Sequence, residues 1–167
     1  MNMTHYMELL AVDQPWNLLI YMAVPVVLAE TVAISELYLL HTRIYEGPVR
    51  TLNRAASILG GIWFTGIFVH LMINAVVPLT TGGGWRGPAD VTAVLSYLAG
   101  IVPLGGIALI DLGVIAKGRD EHAKMGLHAA LVGVFLVVAH IAMIFGMMDP
   151  TILMSGTPGP IGGHMGH

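Results

Sequence analysis

Two histidines stand inside uncharged apolar runs, His70 in TGIFVHLMINAVVPL and His140 in LVVAHIAMIFG. An imidazole in such a setting either hydrogen-bonds a neighbour or offers a ring nitrogen to a metal or haem iron. A second group is richer in carboxylates: Glu30, Glu36, Asp111 and His128 also interrupt apolar stretches. Ionisable residues at bilayer depth cost about 2.5–3.5 kcal/mol each on insertion scales, so they normally face a bundle interior and serve a purpose.

What positions these groups follows from composition. The chain has 167 residues, 56% of them apolar and only 10% charged, and it contains no cysteine. Disulfides, thiolate metal sites and cysteine-attached haem are therefore excluded. Crossing a bilayer takes about 20 apolar residues, and stretches at about 16–42, 53–79, 89–116 and 123–148 meet that length. The expected fold is all-α: a polytopic, up-down bundle of four transmembrane helices over 1–150, followed by an extended external His/Met tail over 151–167. No signal-peptide pattern opens the chain, so the first span reads as a retained helix.

Charge sorting sets the expected orientation. Arg43, Arg50 and Arg54 fall between spans one and two, and Lys117, Arg119 and Lys124 between spans three and four, leaving only Arg86 in the remaining loop. The positive-inside rule makes the first two loops cytoplasmic and both termini external, in a multi-pass protein of a bacterial inner membrane. Lipid is the expected environment, and nucleic acid is not an expected partner.

Counting from span ends at about 1.5 Å per residue sorts the polar groups by depth. His70 lies nine residues from the outer end of span two and His140 eight from that of span four, so they share an outer layer. Glu36, Asp111 and His128 lie six, five and five residues from the inner ends and share an inner layer, with Glu30 between the layers. Gly66 precedes His70 by one turn, and Gly126, Gly133 and His140 repeat at seven, which leaves room for something flat beside the histidines.

Three functions follow from this pattern. In the first, His70 and His140 ligate one b-type haem for electron transfer, and the inner layer moves protons or meets a quinone, as in a respiratory subunit. In the second, His70, His140, Glu36, Asp111 and His128 hold a transition-metal ion such as copper, zinc, iron or manganese. Glu30, Glu36, Asp111 and His128 then form a proton or ion path, and His164 and His167 add tail ligands. Four short helices make a narrow transporter, so this reading goes with a homo-oligomer; the third reading is a cofactor-free accessory subunit of a larger membrane complex. No residue is assigned a catalytic role.

The stretches PWNLLIYMAVPVVLAETVAISELYLL, PLTTGGGWRGPADV and LVVAHIAMIFGMMDPT resemble those of small four-span bacterial membrane proteins often labelled permeases without an assigned function. That resemblance covers nearly the whole chain and implies transport, with no residue roles. In architecture the paired histidines are similar to those of four-helix membrane cytochromes b, although the two-per-helix spacing of that group is absent.

Overall fold

The computed structural model describes residues 3–151. Four helices in it are long and apolar enough to cross a membrane: Trp16–Thr42, Pro48–Thr81, Pro88–Asp111 and Glu121–Met147, here spans one to four. No strand occurs among the described residues. A short amphipathic helix, α1 (His5–Ala11), precedes them. The chain is an all-helical membrane protein, as its composition predicts.

The helix boundaries have local causes. Gly47, at φ +93°, turns the chain, and Pro48 opens span two at the first helical position, where its missing N–H costs nothing. Span two therefore begins five residues before the expected 53, which places Arg50 on a helix rather than in a loop. Span three stops at Asp111 instead of 116, because Gly113 turns into the left-handed region at φ +72°. Asp120 caps span four by accepting from the Ala123 backbone N–H at 3.3 Å.

Proline also explains each irregularity inside the spans. A proline ring removes one N–H and crowds the carbonyl four residues earlier. Wide, π-type turns at Leu19–Ala23 and Met72–Val76 come just before Pro25 and Pro78. Span three breaks at Gly100, one turn before Pro103. The carbonyl of Tyr21, four residues before Pro25, accepts a hydrogen bond from the Tyr97 hydroxyl across the bundle.

Span one packs against spans two and four, and span three packs against the same two, so the helices form a closed square. Span three is the most enclosed, with 56% of its most apolar window buried against 17–22% for the others. The half of the core away from the basic loops is aromatic: Phe64 contacts Tyr97 and Phe135 at ring-centroid distances of 5.3 and 6.1 Å. Spans two and three approach closely at Gly61, where a Cβ would lie 2.4 Å from that of Ala108.

The amino-terminal helix is strapped across the end of the bundle away from the Arg- and Lys-rich loops. The Thr4 hydroxyl accepts from the Met7 N–H and donates to the Gly146 carbonyl at 2.7 Å. Asp90, fully buried, accepts from the His5 backbone N–H and pairs with His5 Nδ1, at 2.7 and 2.6 Å. Arg86 closes the strap by pairing with Glu8.

Candidate functional site: a buried carboxylate–imidazole cluster

Glu36 of span one, Asp111 of span three and His128 of span four converge in the half of the bundle nearer the basic loops. Glu36 is 1% exposed and His128 is fully buried. His128 Nδ1 lies 2.9 Å from Glu36 Oε1, and His128 Nε2 lies 3.9 Å from Asp111 Oδ1. One imidazole thus stands between two carboxyl groups and turns a different nitrogen toward each.

Span two completes the cluster with residues that sequence reasoning did not assign to it. Arg50 Nη2 donates to Asp111 Oδ1 and Nη1 donates to Asn53 Oδ1, both at 2.8 Å. Asn53 Nδ2 in turn donates to Ser35 Oγ at 2.9 Å, and the Ser57 hydroxyl donates to Asp111 Oδ2. Arg50 reads as a loop charge when span two is started at residue 53, whereas the Gly47–Pro48 step is a helix-start signal. Extending the helix back to Pro48 puts Arg50, Asn53 and Ser57 on one stripe at spacings of three and four.

The charges are unevenly satisfied. Asp111 is held by a guanidinium and a hydroxyl, whereas Glu36 Oε2 and His128 Nε2 have no hydrogen-bond partner among the described residues. Buried polar atoms are paired in the great majority of cases, so these two exceptions single out the Glu36–His128 pair within the bundle. A cavity of about 420 Å³, lined by Tyr45, Arg50, Arg54, Asp111, Glu121 and Lys124, lies beside Asp111 at the basic end. Glu121 Oε2 is 3.8 Å from Arg50 Nη2, so the guanidinium stands between a buried and an exposed carboxylate.

The outer-layer histidines are placed differently. His70 and His140 are both exposed, on the diagonally opposed spans two and four. His70 lies beside Tyr21 of span one, with ring centroids 6.3 Å apart. His140 Nδ1 is 2.6 Å from the Leu136 carbonyl of its own helix. Phe64, Tyr97 and Phe135 fill the core between the two spans, so the structure does not bring these histidines together within one chain. Gly66, Gly126 and Gly133 face open space, with nothing within 4 Å of a Cβ. Glu30 is exposed in a groove between spans one and four that His140 also lines. His164 and His167 lie outside the described residues.

The whole arrangement can be set against known proteins. The chain belongs to a family of unknown function, DUF6803. The match covers residues 1–159, the entire bundle included. No curated protein and no solved structure matches the chain. The family carries no activity across, so function rests on the side chains themselves.

Proposed function

We propose that the protein is a proton-coupled membrane protein whose inner cluster relays protons between the basic end and the bundle interior. The observation that supports this reading is the placement of His128, fully buried, with one ring nitrogen against Glu36 and the other toward Asp111. Imidazole accepts a proton on one nitrogen and releases one from the other. Starting from protonated Asp111, neutral His128 and ionised Glu36, the Asp111 proton passes to Nε2 as the Nδ1 proton passes to Glu36. Asp111 ends as a carboxylate and Glu36 as a carboxylic acid, and no charge is gained or lost. A hydrogen bond needs about 2.7–3.2 Å, so the 3.9 Å gap between His128 Nε2 and Asp111 is crossed after a small side-chain rotation or through one water.

Arg50 pairs with Asp111 Oδ1 at 2.8 Å and lies 3.8 Å from Glu121 Oε2, so a swing of the guanidinium toward Glu121 is the motion that would uncover Asp111 for the relay. Sorting of basic residues orients the Asp111 cavity to the cytoplasm, with both termini outside. Infrared difference spectra after a pH jump test the relay. We expect a carboxyl band that is lost in Glu36→Gln and greatly reduced in His128→Gln; a band indifferent to His128 would oppose the reading.

A transition-metal ion is the second reading: His128 Nε2 and Glu36 Oε2 lack partners, although no three His, Asp or Glu side chains among the described residues gather closely enough to hold one. Imidazole and carboxylate suit such ions, yet an ion bridging to Asp111 shares that carboxylate with the Arg50 guanidinium. Like-charge repulsion there favours the proton. A b-type haem held by both His70 and His140 does not fit a single copy, because the two side chains face outward from opposed spans. Such ligation calls for two copies, and its low-spin spectrum would then disappear on dissociation.

A further inference from the structure

A cavity of about 520 Å³ opens between spans one and four beneath α1, remote from the relay and independent of it. Its walls are mostly apolar and include the rings of Tyr6, Tyr21, Tyr97 and Phe135. The volume falls within the range of about 300–1,000 Å³ typical of small-molecule sites. We infer that this groove binds a lipid-soluble hydroxyarene, a flat ring bearing hydroxyl donors and a hydrocarbon tail.

His140 lines the groove and calls for a hydroxyl donor. Its Nδ1 is 2.6 Å from the Leu136 carbonyl, and a carbonyl can only accept, so Nδ1 carries the hydrogen. With that tautomer, Nε2 is the nitrogen left to accept. Glu30 lines the same groove and has no hydrogen-bond or ion-pair partner among the described residues. A carboxyl accepts in either protonation state. Two acceptors in an apolar slot with aromatic walls match a flat ligand that brings the hydrogens itself. Met143 and Met147 line the groove and are exposed on the side of span four, so a tail leaves sideways toward lipid.

The closed end of the groove has a built lid. Tyr6, Met7 and Leu10 of α1 line it, and the Thr4–Gly146 and His5–Asp90 contacts hold that helix in place. Gly146 is required there, because a Cβ would lie 2.8 Å from the Tyr6 ring.

The test uses the full chain in phosphatidylcholine nanodiscs and radiolabelled decylhydroquinone kept reduced, with protein-free nanodiscs as the partition control. We expect saturable binding of one molecule per chain, and about 10-fold weaker binding of the dimethyl ether, which lacks the donors. His140→Leu and Glu30→Leu should each weaken binding several-fold, and Ala139→Trp should block the groove. If the tryptophan variant fails to fold, the two leucine variants still decide the matter. Equal affinity for the ether, indifference to both leucine variants, tighter binding of decylammonium than of the hydroquinone, or a second copy cross-linked into the groove would each overturn the inference. So would folded protein with no saturable component.

Discussion

Arg50 Nη2 lies 2.8 Å from Asp111 Oδ1 and joins the first turn of span two to the last turn of span three. Asp111 is wholly enclosed at its side chain, whereas Arg50 keeps 16% exposure toward the cavity at the basic end. Breaking a buried pair from one side strands the other charge at a cost of about 3–5 kcal/mol. Arg50→Ala should therefore destabilise the bundle by about that amount, measured by denaturant unfolding in micelles. Arg50→Gln combined with Asp111→Asn should cost much less than the sum of the single changes, because neither partner is left charged.

The close approach of spans two and three is a second point of leverage. A methyl group at Gly61 would meet Ala108 Cβ at 2.4 Å and the Leu104 carbonyl at 3.1 Å. Gly61→Ala should lower stability by about 1–3 kcal/mol through overpacking. Gly133→Ala, mid-helix and with nothing within 4 Å, should leave the thermal midpoint unchanged or raise it slightly. Equal effects of the two would contradict this packing.

Depth was readable from sequence where facing was not. Helical rise is fixed, so counting from span ends predicts that Glu36, Asp111 and His128 share a level, and the three do meet. The same count sets His70 and His140 in the outer half but says nothing of their azimuth. Lipid tails are as apolar as a protein core, so a spanning helix carries little hydrophobic asymmetry to show which side faces in. Gly66, Gly126 and Gly133 illustrate the ambiguity: small residues read as a cofactor-facing stripe in fact look outward. Arg50 and Asn53 were hidden for another reason. Charge near a span end reads as loop, and only the Gly47–Pro48 step shows that the helix starts earlier. The strap was invisible because its partners, His5 and Asp90, are 85 residues apart.

That strap gives a third expectation. Asp90 accepts from two backbone N–H groups, those of His5 and Arg86, and pairs with the His5 ring. Asp90→Ala should release α1 at a cost on the order of 3 kcal/mol. Hydrogen exchange at residues 5–11 should then rise while the amides of span two keep their protection. Unchanged exchange in α1 would show that apolar packing of Tyr6 and Leu10 holds the helix alone.

Absence of native cysteine makes orientation simple to measure. A single cysteine at Arg119, between spans three and four, should resist an impermeant thiol reagent in intact cells and react after lysis. One at Thr81, where span two ends, should react in intact cells. The opposite labelling would invert the proposed direction of the relay.

The relay itself is tested most directly by proton flux. Purified protein is placed in liposomes containing a pH-sensitive dye, and a potassium gradient with valinomycin imposes a membrane potential. The account predicts potential-driven acidification well above that of protein-free liposomes, with the relay as one half of a path that water completes past Phe64, Tyr97 and Phe135. It predicts a fall of at least 10-fold, on the order of one lost hydrogen-bonded step, in His128→Gln, with the fold and reconstitution intact. Flux in His128→Gln equal to wild type, or no flux from folded wild-type protein with or without candidate solutes and the hydroquinone, would contradict it.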